Sequence, residues 1–166
     1  MELTEPATLL EHAGEVIGIG EAHVTQEMIN AFAHATSDHQ WVHVDIDRAR
    51  RGPYGATIAH GFLTLSLIPH FLDQVISVHN VSATINYGVE HVRFPAPVIV
   101  GTFLRAQVVL AQAHLVGDDV QAQYQVTITS AASPKPHCVC GAIVRYVRMP
   151  RRRDARPGAA DEQAPA

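Results

Sequence analysis

The sequence predicts an α+β fold in which an antiparallel sheet of about five strands wraps around one long central helix. Three observations carry this. The stretch Thr57 to Ile76 is apolar on nearly every helical face, so it reads as a helix surrounded by protein. From Ser82 onward, runs rich in Val, Ile, Tyr and Thr alternate with short turn signals, the pattern of antiparallel strands. The 166 residues, 47% of them apolar, suffice for one domain with a substantial core and fall short of two.

The elements follow in order. Gly14 to His23 alternates loosely and reads as a short strand or extended arm. Thr25 offers an N-cap for a first helix over Gln26 to Thr36, where Ile29, Phe32 and Ala33 share one face at three- and four-residue spacing. Asp38 to Ala56 reads as a loop excursion, with a brief helical turn near Asp45 to Arg51 and a break at Gly52-Pro53-Tyr54-Gly55. Within the central helix Pro69 removes a backbone donor, which predicts a kink there or a break just before it. The strands Ala83 to Phe94, Val98 to Ala113, Val120 to Ser130 and His137 to Arg148 complete the sheet. Pro95-Ala96-Pro97, Gly117-Asp118-Asp119 and Ser133-Pro134-Lys135-Pro136 separate them, and such short connections favour antiparallel neighbours. The domain is expected to span residues 1–149. The tail over 150–166, with Arg151-Arg152-Arg153 and then Ala, Pro, Gly and acidic residues, has nothing to bury and is expected to be disordered.

A net charge of −4 with both signs scattered gives no basic stripe, so no nucleic-acid partner is expected. The sequence has no apolar run of transmembrane length and no signal-like N-terminus, which predicts a cytoplasmic protein without a membrane partner. Cys138 and Cys140 lie two apart in a strand, too far for an easy bridge and too few for a zinc site, and read as structural thiols.

The chemistry concentrates in Ser37-Asp38-His39-Gln40-Trp41-Val42-His43. On a helix a five-residue step turns side chains apart by roughly 140°, so Asp38 and His43 converge only if the chain between them leaves helical geometry. A carboxylate and an imidazole aimed at one water form a general acid/base pair. The plainer reading is an Asx turn and a half-buried histidine. Trp41 and Val42, lying between the two, anchor the excursion with apolar side chains.

Three stretches together resemble the MaoC-like hydratases, and within them the nodulation-protein-N-like branch. They are Val24 to Asp45, Gly52-Pro53-Tyr54-Gly55 to Leu63, and Val92-Arg93-Phe94-Pro95-Ala96-Pro97-Val98. The resemblance covers residues 16 to about 148, and the Asp38-to-His43 stretch followed by Ala59-His60-Gly61 is its most specific part. It implies the hot-dog fold. Ser37 and Gln40-Trp41 depart from the general Gly-Asp-x-Asn-Pro-x-His pattern and mark the branch.

The resemblance also implies an (R)-specific enoyl-CoA hydratase, a hydro-lyase that adds water to trans-2-enoyl thioesters of CoA or acyl carrier protein, and dehydrates 3-hydroxyacyl thioesters in reverse. Asp38 and His43 would hold the water, with no cofactor. Gly61 reads two ways: a residue permitting close packing or a turn, or a backbone N–H stabilising charge on the thioester oxygen at a helix start; the resemblance favours the second. His60 reads as an orienting or packing residue, and Gln40 and Trp41 as support for the site. His34, His39, His43 and His60 match no recognised ligand spacing, so no metal is expected. An acyl-CoA thioesterase and a non-catalytic acyl-binding or assembly partner are the competing readings. A lone sheet leaves edge strands open, which together with the resemblance predicts a homodimer.

Overall fold

The computed structural model describes residues 1–149; the tail expected to be disordered lies outside the described residues. The elements run β1 (Glu2–Leu3), a 3-10 turn (Pro6–Glu11), β2 (Val16–His23), α1 (Gln26–Thr36), α2 (Trp41–Val44), α3 (Ile46–Arg50), α4 (Gly61–Ser66), α5 (Ile68–Val75), β3 (Ser77–Val78), β4 (Val81–Arg93), β5 (Phe103–Val116), β6 (Asp119–Thr129) and β7 (Cys138–Arg148). Five strands form one antiparallel sheet in the order β2-β5-β6-β7-β4. A two-residue parallel pair, β1 with β3, ties the N-terminus to the end of α5 and was not foreseen.

The core lies between α4–α5 and one face of the sheet. Alternate residues point inward: Leu104, Ala106, Val108 and Leu110 on β5, Tyr124, Val126 and Ile128 on β6, and Cys138, Cys140, Ala142 and Val144 on β7. Both cysteines are free and buried, as structural thiols should be. Gly18 and Gly20 on β2 face α5 from alternate positions. A Cβ on Gly20 would stand 2.9 Å from the Phe71 backbone, so the strand can approach the helix only because it lacks side chains there.

The central helix is divided as Pro69 predicts. α4 ends at Ser66, and Pro69 sits in the first turn of α5, where its missing N–H has no helical acceptor to lose. The sheet departs from expectation in two respects. Pro95-Ala96-Pro97 does not make β4 and β5 neighbours; residues 94–102 cross the end of the sheet, so that β4 becomes the edge beside β7. Nor does Val98 begin a strand of the sheet. Ala59 N donates to Val98 O at 2.7 Å and Val100 N to Thr57 O at 2.9 Å, so this segment fastens the lead-in to α4.

Candidate active site

The site is built where α1, α2 and the lead-in to α4 meet. Thr25 caps α1 by accepting from Met28 N at 3.3 Å, and Ser37, in the left-handed region at φ 59°, turns the chain out of the helix. Asp38 therefore stands in irregular chain, while His43 sits in the short helix α2 rather than in the expected loop. Of the four residues between them, His39 and Gln40 lie outside any helix, so α1 and α2 are not one continuous helix.

His43 is buried and held by hydrogen bonds at its ring and at its backbone. Its ring Nδ1–H donates to Ile58 O at 2.7 Å, which sets the tautomer and leaves Nε2 with a lone pair. Its backbone O accepts from Gln26 Nε2 at 2.9 Å, and Gln26 Oε1 accepts from the buried Thr57 hydroxyl at 2.5 Å. Ile58 N donates to Val42 O at 3.1 Å, closing the link between α2 and the α4 lead-in.

His60 lies against both members of the pair. Its ring stacks on that of His43 with centroids 3.7 Å apart, and its Nε2–H donates to the Asp38 backbone O at 3.0 Å. Asp38 Oδ2 is 3.9 Å from the same nitrogen. His60 Nδ1 is buried and has no hydrogen-bond partner among the described residues. Burial pushes the His43 pKa below its ordinary value; the Ile58 hydrogen bond opposes this, His60 adds to it, and Asp38 opposes it. The Asp38 side chain is 55% exposed, so the carboxylate lies at the open side of the site.

Gly61 opens α4, so its N–H has no acceptor within the helix. A Cβ there would come within 3.0 Å of the Phe94 ring, which lies over the glycine from the end of β4. Trp41 supports the excursion: it packs on Gly52 and under the Arg48 guanidinium, 4.5 Å from its ring centroid. The exposed Gln40 contributes its backbone O, which accepts from His43 N at 3.0 Å.

Asp38, His43 and His60 offer ligand atoms within 4.8 Å of one another. Imidazole ligands bind in the ring plane, whereas these two rings are stacked at 24° with one nitrogen each engaged by a carbonyl, a poor match to a metal's converging lone pairs. His34 and His39 stand apart as exposed side chains with ring centroids 6.5 Å from each other. Sequence reasoning missed Gln26, Thr57, Ile58 and Phe94. All four lie inside the three stretches that carry the family resemblance, but the resemblance assigned them no role, and Ile58 acts through its backbone.

Residues 11–132 match the MaoC-like domain. The chain is 49% identical over 143 residues to 3-hydroxyacyl-thioester dehydratase Z of Mycobacterium tuberculosis, covering 85% of this chain and 95% of that protein. Nodulation protein N of Rhizobium meliloti is 39% identical over 123 residues, covering 68% of this chain and 72% of its own. Among solved structures, an R-hydratase from Pseudomonas aeruginosa superposes with a TM-score of 0.65 at 23% identity over 82% of each chain, a likeness of fold. The antiparallel sheet around a divided central helix is thus the hot-dog fold, and the chain belongs to the MaoC-like dehydratase family of hydro-lyases.

Proposed function

We propose that this protein is an (R)-specific enoyl-thioester hydratase, equally a dehydratase of 3-hydroxyacyl thioesters. The observation that carries the reading is His43. Its Nδ1 is committed to Ile58 O at 2.7 Å, so Nε2 keeps a basic lone pair in the cluster that His43 forms with Asp38 and with His60, the residue before Gly61. His43 Nε2 takes a proton from water as the water oxygen bonds the β-carbon. The electron pair of the double bond moves toward the thioester oxygen, where the Gly61 N–H meets the developing charge. Asp38 exchanges the proton that ends on the α-carbon. Burial that keeps His43 neutral favours its role as base.

The test is turnover of trans-2-butenoyl-CoA, followed by loss of the enoyl chromophore and chiral analysis of the product. The (R)-3-hydroxy thioester is expected; the (S) product, or release of free CoA, would overturn the reading. Asp38→Asn and His43→Ala should fold and lose at least about 10²-fold in rate, the scale of one acid/base group. Near-normal turnover by either removes it from the chemistry.

A homodimer completes this reading. The long edge strand β4 exposes Ile85, Tyr87 and Val89, and Phe62, 69% exposed, lies next to Gly61. A second copy covering these side chains would dry the side of the site on which Asp38 is open. Sedimentation at micromolar concentration should return about twice the 18.0 kDa chain mass.

A further inference from the structure

The side chain of Gln26 reaches both ends of the contact that orients His43. Gln26 is the first residue of α1, directly after the Thr25 cap. Its Nε2 donates to the His43 backbone O and to Asn30 Oδ1, each at 2.9 Å, and its Oε1 accepts from the Thr57 hydroxyl. Thr57 precedes Ile58, whose O accepts from the His43 ring. These contacts close a circuit. It runs from the His43 backbone through the Gln26 amide to Thr57, along the chain to Ile58, and back to His43 through the imidazole. One amide group thus spans the base and the carbonyl that sets its tautomer.

The orientation of that amide is forced. A backbone carbonyl can only accept, so His43 O requires the NH2 end of Gln26. Oε1 is left facing Thr57, whose hydroxyl must then donate. The flipped amide would set Oε1 against His43 O, two acceptors with no proton between them. Thr57 is buried, so bulk water does not reach its hydroxyl to take the place of the amide. Thr57 is itself fixed from the other side, where its O accepts from Val100 N at 2.9 Å. Gln26 therefore passes a position set by the 94–102 crossing on to His43.

Resting on the hydratase reading, we propose that Gln26, oriented by Thr57, is the positioning residue of the base, holding His43 where its Nδ1–H stays on Ile58 O and the lone pair stays on Nε2. Gln26 acts through His43 and exchanges no proton itself. Without the link, α2 and the lead-in to α4 are free to part, and the imidazole proton divides between the two ring nitrogens.

The test uses Gln26→Met, which fills similar space without hydrogen-bonding the carbonyl, and Thr57→Val, which keeps the side-chain shape and removes the hydroxyl. Each should lower kcat for trans-2-butenoyl-CoA by about 10- to 100-fold with KM little changed, the scale of a misplaced catalytic group. The double variant should be no slower than the slower single one, because both changes remove the same link. Thr57→Ser restores the donor and should recover most of the rate. A role in stability alone would lower the melting temperature and leave the kcat of the folded protein where it was. Imidazole ¹⁵N spectra of the full chain add a readout independent of turnover: His43 should be the Nδ1–H tautomer in the wild type and in Thr57→Ser, and a mixture in Gln26→Met and Thr57→Val. An unchanged His43 tautomer in Gln26→Met, or losses of kcat that multiply in the double variant, overturns the proposal. If the wild type hydrates no enoyl thioester while the spectra change as expected, the hydratase reading falls and the positioning of His43 stands.

Discussion

His43 and His60 lie face to face in the interior, their ring centroids 3.7 Å apart and their planes 24° from parallel, and each ring has one nitrogen tied to a backbone oxygen. His43 is held by Ile58 O and His60 by Asp38 O, so one contact joins the base to the residue that positions the carboxylate. Two charged rings at this separation would repel strongly, and His60 accordingly opposes protonation of His43.

His60→Phe keeps an aromatic ring against His43 and removes the N–H that Asp38 O accepts. We expect a fall in kcat of about 10- to 100-fold from the misplaced carboxylate, with KM for butenoyl-CoA little changed. The acid limb of the pH profile should also move toward higher pH, because the group opposing the His43 charge is gone. A variant with an unaltered kcat and profile would reduce His60 to packing.

The pH dependence follows from His43. Its pKa in the folded chain lies below the ordinary 6.5, chiefly because of burial, so the neutral base persists into mild acid. The acid limb of kcat/KM for hydration should therefore fall below pH 6.5. The same shift bears on stability. The folded state disfavours the imidazolium, so the His43 contribution is complete above the unfolded value and is lost as pH drops through the folded one. Thermal melts at several pH values should show the wild type losing more stability in that window than His43→Gln; equal losses would refute it.

Gly61 and Phe94 should couple energetically. A Cβ on Gly61 would meet the Phe94 ring at 3.0–3.2 Å, so Gly61→Ala forces the ring or the start of α4 to move, at a cost of about 1–3 kcal/mol. Adding Phe94→Ala should recover part of that loss. Additive effects in a double-mutant cycle would show that the ring yields freely.

Gly20→Ala tests how closely the sheet wraps the helix. Its Cβ would stand 2.9 Å from backbone atoms of Phe71, which cannot swing aside as a side chain can, so a loss of about 2 kcal/mol or more is expected. At Gly18 the nearest atom is the Val75 side chain at 3.0 Å, and alanine there should cost less. A reversed order in chemical denaturation would contradict this account.

By itself the sequence determined the repeating parts of this protein: the Thr25 cap, the two-residue alternation of β5 to β7, and the division at Pro69. These are legible because local sterics and burial act on neighbours along the chain. The tertiary structure alone decided that β4 runs beside β7 rather than β5, that Val98 and Val100 hold Thr57 and Ala59, and that His60 stacks on His43. Each of these joins residues distant in the chain, through backbone groups that every residue carries or through side chains without a periodic mark. A histidine's neighbours and tautomer depend on which carbonyl the fold brings to it, so the direction of His43's basic nitrogen could be read only once Ile58 O was in place.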